Sequence, residues 1–145
     1  MTVFDLLSSP DLLLQARSAP ATVPALAELD AQAPMRLPPG YLELLRAANG
    51  LEGELGISPG WIQLWRAEDV LAMNNDYEVE QWHPGFFGFG SSGGGVMFAF
   101  STAAGVDSPV FGMPFDSASS EDVVIITSRF AAFAQAIGRE WQEAG

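Results

Sequence analysis

Apolar residues fall at helical spacing in the first third of the chain, in short dense runs through the middle, and at helical spacing again near the end. Residues 1–48 read as helices. Ser9 is a good N-cap and Pro10 suits a first helical position, with Leu12, Leu13, Leu14 and Ala16 following. Thr22 caps a second helix that has Pro24 in its first turn, carries Leu26, Ala27 and Leu29, and stops at Pro34. A third starts near Pro38-Pro39. Its Tyr41, Leu44, Leu45 and Ala48 lie at i, i+3, i+4 and i+7, one apolar face, and Asn49-Gly50 offers a left-handed stop.

The middle changes period. Trp61-Ile62-Gln63-Leu64-Trp65 is aromatic and branched and predicts a strand, and residues 67–73 predict a short helix ending near Asn74-Asn75. Residues 86–89, 96–100, 110–113 and 123–126 predict four more strands, separated by Gly, Pro, Ser and Asp. A closing helix is expected from an N-cap at Ser128, with Phe130, Phe133, Ala134, Ile137 and Trp141 as its core stripe. Helices, then strands, then a helix predict an α+β domain rather than an alternating parallel sheet. The expectation is one domain over 1–145, with N-terminal helices to about residue 48, a sheet region from about 53 to 127, and a C-terminal helix over about 128–142.

The run Phe86-Phe87-Gly88-Phe89-Gly90-Ser91-Ser92-Gly93-Gly94-Gly95-Val96-Met97-Phe98-Ala99-Phe100 fits two motifs at once. Gly88, Gly90 and Gly93 match a dinucleotide fingerprint, and Gly90, Ser92 and Gly94 match a hydrolase nucleophile elbow. Both need a helix after the turn, to hold a pyrophosphate or to carry the nucleophile. Here a dense apolar run follows, read as a strand buried on both faces. The elbow also needs a histidine after the serine, and the only one, His83, precedes it. The reading is a glycine turn between two strands, and no cofactor is expected.

Composition narrows the chemistry further. The 145 residues contain no Cys and no Lys, and one His. Thiolate chemistry, Schiff bases, a P-loop lysine and a multi-His metal cage are excluded within one chain. Eighteen acids against six arginines give a net charge of −12. That field repels a phosphate backbone and attracts a basic partner, so nucleic acid is not expected as a ligand. No apolar run approaches the roughly 18 residues of a membrane span. No basic residue precedes Arg17, and Asp5 and Asp11 interrupt the apolar start, unlike a signal peptide. A cytoplasmic protein is expected.

The densest polar stretch is Asn74-Asn75-Asp76-Tyr77-Glu78-Val79-Glu80-Gln81-Trp82-His83. On a strand, Asp76, Glu78 and Glu80 would share a face and His83 would fall on the other, a poor arrangement for a cation. The alternatives are a solvated acidic edge and a partner-binding strip. Asp116, Glu121 and Asp122, flanking expected strands, are candidates to extend such a strip. Trp61 and Trp65 share a face on a strand and read as core. Trp82, beside charges and Pro84, is a candidate anchor with partial exposure, and its alternative is ordinary packing.

Four segments in order resemble the SUKH superfamily, the cell-wall-assembly-regulator-like domain of bacterial immunity proteins. Leu37-Pro38-Pro39-Gly40-Tyr41-Leu42-Glu43-Leu44-Leu45-Arg46-Ala47-Ala48-Asn49-Gly50 is similar to its Leu-Pro, helix, Asn-Gly signature. Leu64-Trp65-Arg66-Ala67-Glu68-Asp69-Val70 resembles its strand entering a short helix, Gly93-Gly94-Gly95 with the strand beyond resembles its glycine turn, and Ser128-Arg129-Phe130-Ala131-Ala132-Phe133 resembles its last helix. Val96 and Ser101 stand where the family commonly has acids. The resemblance implies a largely antiparallel sheet flanked by N-terminal helices and one C-terminal helix. It implies no catalysis, and a role in neutralising a toxin by binding, the expected partner being a basic toxin domain. A regulatory or scaffold module is the alternative. A small hydrolase using Ser92, or a metal at Glu78, Glu80 and His83, is a third reading.

Overall fold

A computed structural model describes residues 7, 11–116 and 120–140. Seven strands form one antiparallel sheet in sequence order. They are β1 (Leu14–Arg17), β2 (Leu51–Glu54), β3 (Trp61–Leu64), β4 (Phe86–Ser91), β5 (Val96–Ser101), β6 (Val110–Pro114) and β7 (Val124–Thr127). The helices are α1 (Val23–Gln32), α2 (Pro39–Ala47), α3 (Ala67–Asp76), the single turn α4 (Val79–Trp82) and α5 (Phe130–Ala136). This is the expected α+β class, with helices packed on an antiparallel sheet.

Local chemistry accounts for most of the boundaries. Thr22 accepts a hydrogen bond from the Ala25 amide at 3.2 Å and caps α1. Pro38 and Pro39 open α2, whose Tyr41, Leu44 and Leu45 are fully buried. Gly50 takes φ +101° just after it. Two expectations at the ends of the chain are corrected. The expected first helix is instead, over residues 14–17, the edge strand β1. A leucine run this short suits strand or helix equally, and here the backbone finds partners in β2, with Leu14 opposite Gly53. Ser9 and Pro10 lie outside the described residues. At the other end α5 begins from Arg129 rather than Ser128 and stops at Ala136. The chain then leaves the helix to pair Ile137 with Leu55, and Gly138 donates to the Glu54 carbonyl at 2.7 Å. The helix was expected to reach about residue 142, and Trp141 lies outside the described residues.

One face of the sheet carries the aromatic core. Phe89 stacks on Phe100 with ring centroids 4.5 Å apart. Tyr41 from α2 meets Phe89, Phe100 and Phe130 edge-on, and Phe133 from α5 meets Phe89 and Phe98 the same way. Each such ring contributes about 1.5–3 kcal/mol by burial, and edge-on pairs add to it. The Tyr41 hydroxyl is buried with no partner among the described residues, and burial pushes its pKa up, so the phenol stays neutral.

The opposite face is covered differently. Strand alternation puts Met97, Ala99 and Met113 there, all essentially without exposure. Segment 77–85 lies over this face. The Tyr77 ring stacks between Trp65, at 6.1 Å, and Phe115, at 4.4 Å. His83 is buried and its Nε2 donates to the Pro114 carbonyl at 3.0 Å. The closeness of this layer explains Gly88: a Cβ there would lie 2.6 Å from Met97 Sδ and 3.2 Å from the Trp65 ring.

Candidate functional site

The acidic stretch is helical and turning rather than a strand, and its acids face solvent. Asp76 ends α3, Glu78 takes a left-handed conformation (φ 52°), and Glu80 and Trp82 belong to α4. Glu78 is the one non-glycine residue with positive φ among those described. That reversal lets the chain turn back across the sheet while Val79 is buried beneath it. Outward from this cover stand Asp76, Tyr77, Glu78, Glu80 and Trp82, with Tyr77 43% and Trp82 46% exposed. Trp82 Nε1 donates to Glu78 Oε2 at 3.2 Å, which holds the indole beside the carboxylate.

Two asparagines position this layer, and sequence reasoning gave neither a role of this kind. β3 pairs with β4 only through Gln63 and Leu64, so beyond Gly90 the flank of β4 loses its neighbouring strand. The Asn74 side chain takes that place: it accepts from the Gly88 amide at 2.7 Å and donates to the Gly88 carbonyl at 2.8 Å. Asn49 does the same for a helix. Its Oδ1 accepts from the Ala67 amide at the start of α3, at 2.7 Å, and its Nδ2 donates to Glu68. That bond, ahead of smaller contributions that include nearby Arg66, holds the Glu68 carboxyl below its ordinary pKa. Asn49 of the Asn-Gly signature is thus an N-cap supplied from 18 residues away.

The glycine turn joins β4 to β5 as expected, and its hydrogen bonds point inward. Ser92 Oγ accepts from the Gly94 and Val96 amides, both at 3.3 Å, and Ser91 Oγ accepts from the Gly93 amide at 3.2 Å. Amides engaged this way do not form a phosphate cradle, and the Ser92 hydroxyl is occupied as their acceptor. Gly93 has φ +78°, and a Cβ there would lie 2.9 Å from the Trp61 ring. Trp61 is only half-buried, a correction to its expected core role, because it belongs to a polar strip: its Nε1 and Gln63 Nε2 both donate to Glu52 Oε2, at 3.0 and 2.9 Å. Those two bonds, Gln63 first, hold the Glu52 carboxyl below its ordinary value. Trp65, on the same side of β3, is buried as expected.

The remaining candidates fall at one end of the sheet. Asp116 is exposed and follows Phe115, whose ring touches Tyr77, so it lies next to the α3–α4 cover. Glu121 and Asp122 are exposed in a short 3-10 turn just before β7. Asp76, Glu78, Glu80 and Trp82 thus follow one another through the end of α3 and α4, Asp116 comes one residue after the Phe115 ring that meets Tyr77, and Glu121 and Asp122 stand at the start of the last strand. Among the described residues no three His, Asp or Glu side chains converge as a metal site, and no helix is long and apolar enough to cross a membrane.

An antiparallel meander, packed by α2 and α5 on one face and by a folded-back acidic segment on the other, defines an α+β domain class. The model of the SMI1 / KNR4 family (SUKH-1) matches residues 20–136, and the chain belongs to that family. A search of curated proteins returns no significant match.

Proposed function

We propose that this chain is an immunity-type protein, acting as a single cytoplasmic domain, that neutralises a cognate toxin by binding it and performs no catalysis. The observation that carries the reading is the exposed pair Tyr77 and Trp82 set among Asp76, Glu78 and Glu80, with Asp116 alongside. Half-exposed aromatic rings on a rigid support are what interface anchors are made of. Carboxylates around them steer a basic partner, and the net charge of −12 extends that field over the molecule. Membership of the SUKH-1 family supports a protein-binding role. The engaged Ser92 hydroxyl and the buried His83, bonded to a backbone carbonyl, support the absence of catalysis.

The test is to co-purify the partner from the native cell, identify it by mass spectrometry, and measure association and dissociation at two salt concentrations. The triple variant Asp76→Asn, Glu78→Gln, Glu80→Gln is expected to associate more slowly, with dissociation changed less. Salt screens exposed charges over about 8 Å at physiological strength, so high salt should erase the difference. Trp82→Ala is expected to act oppositely, mainly by speeding dissociation. Association that ignores both salt and the charge changes, or a turnover lost in Glu78→Gln or His83→Ala, counts against the reading.

A further inference from the structure

The sheet has two edges, and they are built differently. β1 is interrupted by a bulge between Leu14 and Ala16 and ends in Arg17, features that discourage another strand from pairing. β7 ends the sheet on the other side with Val124-Ile125-Ile126-Thr127. Val124 is 53% and Ile125 62% exposed, and among the described residues no backbone hydrogen bond reaches the outer side of this strand. An apolar, charge-free strand with an open edge is a template for another strand. Its two ends differ in charge. Glu121 and Asp122 precede it, and Arg129 follows it.

We propose that β7 receives an extended segment of the basic partner as an eighth antiparallel strand. This rests on the basic-partner reading above and names how part of that partner is held. Backbone hydrogen bonds supply affinity, and Val124 and Ile125 cover the apolar side chains of the incoming strand. The charges fix its direction. In antiparallel pairing the C-terminal end of the incoming strand lies beside Glu121 and Asp122. The segment therefore reads as a short β-branched run followed by Lys or Arg. A second copy of this chain is the less favoured occupant, because each copy carries −12 and offers no basic strand end beyond Arg129.

The probe is a synthetic peptide with a Thr-Val-Ile-Val core and Lys-Arg at its C-terminal end, compared with one carrying Lys-Arg at its N-terminal end. Hydrogen exchange of the full chain is expected to show protection at residues 124–127 with the first peptide. Replacing the exposed pair, Val124→Lys with Ile125→Lys, is expected to weaken binding about tenfold or more by setting like charges together while leaving the fold intact. Protection at β1 or nowhere, equal binding of the two peptides, or unchanged binding to the double variant overturns the proposal. So does a dimer, formed without peptide, that the double variant abolishes. If the co-purified partner is slowed by the Asp76, Glu78 and Glu80 changes but indifferent to the β7 variant, strand addition alone fails. If the partner is not basic and ignores salt, the earlier reading fails, whatever the peptides do.

Discussion

The two faces of the sheet are closed by different materials. Against one, α2 and α5 press rings onto rings, and shape does nearly everything: Tyr41, Phe89, Phe98, Phe100, Phe130 and Phe133 form one contiguous cluster. Against the other lies a single folded-back segment, tied down by the Tyr77 ring, the Asn74 amide and the His83 imidazole. The face closed by rings is covered by two helices that commit their inner sides to packing, while Arg46 of α2 and Ala131, Ala132 and Gln135 of α5 face solvent. A face closed by a thin segment with specific ties leaves the outside of that segment open to solvent. The acids and Trp82 occupy that outside, where changing them disturbs little beneath.

The comparison breaks most readily at the ring cluster. Phe89→Ala removes the ring that meets Tyr41, Phe98, Phe100, Phe130 and Phe133, and is expected to cost about 3–5 kcal/mol. Urea unfolding measures it, and a loss under 1 kcal/mol, on the order of a surface change, would show that the cluster is not the source of stability. On the second face the equivalent lesion is Asn74→Ala, which leaves the Gly88 amide and carbonyl without partners. The expected loss is about 1–3 kcal/mol, and hydrogen exchange should quicken at Gly88 before the rest of the sheet. Exchange rising uniformly would mean that Asn74 supports the whole fold rather than this flank.

The glycine turn gives a smaller and sharper contrast, since its residues sit side by side. Gly93→Val must adopt a left-handed φ and meet the Trp61 ring, for about 1 kcal/mol or more. Gly94 lies outside the left-handed region, and its added Cβ would lie 3.7 Å from Ser92 Oγ, an ordinary contact. Gly94→Val is thus expected to be close to neutral. Equal melting temperatures for the two variants would remove the claim that backbone conformation, rather than loop flexibility, selects the glycine.

Much of this was legible in the sequence. α1, α2, β3, β4, β5, β6 and β7 follow from hydrophobic period and turn residues, because their apolar patterns agree with the tertiary environment they enter. β1 and β2 did not follow. A three-leucine run serves either structure, and Leu51-Glu52-Gly53-Glu54 has the composition of a loop; β2 exists because it pairs along its length with β3, and β1 because it then pairs with β2. The acidic stretch was visible as a candidate, but its shape was not. Asn74 and Asn49 act across 14 and 18 residues of chain, and nothing local to either announces the backbone group it will meet. Tyr77 and the open edge at Val124 and Ile125 likewise become notable only once the neighbouring strands are in place.

The smallest expected effect separates the faces by acid. On the face opposite the ring cluster the Glu52 carboxyl is held low by Gln63 and then Trp61. A carboxyl lowered in the folded chain contributes stability that is fully present above its unfolded value, near 4.5, and is lost as pH falls through its folded value. Stability measured by urea should therefore be insensitive to this group at neutral pH. It should decline below about pH 4.5 more steeply in the native chain than in Glu52→Gln, whose neutral side chain binds no proton in either state. Glu52 is partly exposed, so solvent screens the effect and the difference between the two acid limbs will be slight. The Trp61 indole N–H resonance provides the local readout, since it donates to this carboxylate and is distinct from those of the other three tryptophans. It should shift over the same acid range in the native chain and move less in the variant. Superimposable acid limbs and an unmoved Trp61 signal would mean that the strip joining Glu52, Trp61 and Gln63 contributes no pH-dependent stability, and that the two faces differ in packing alone.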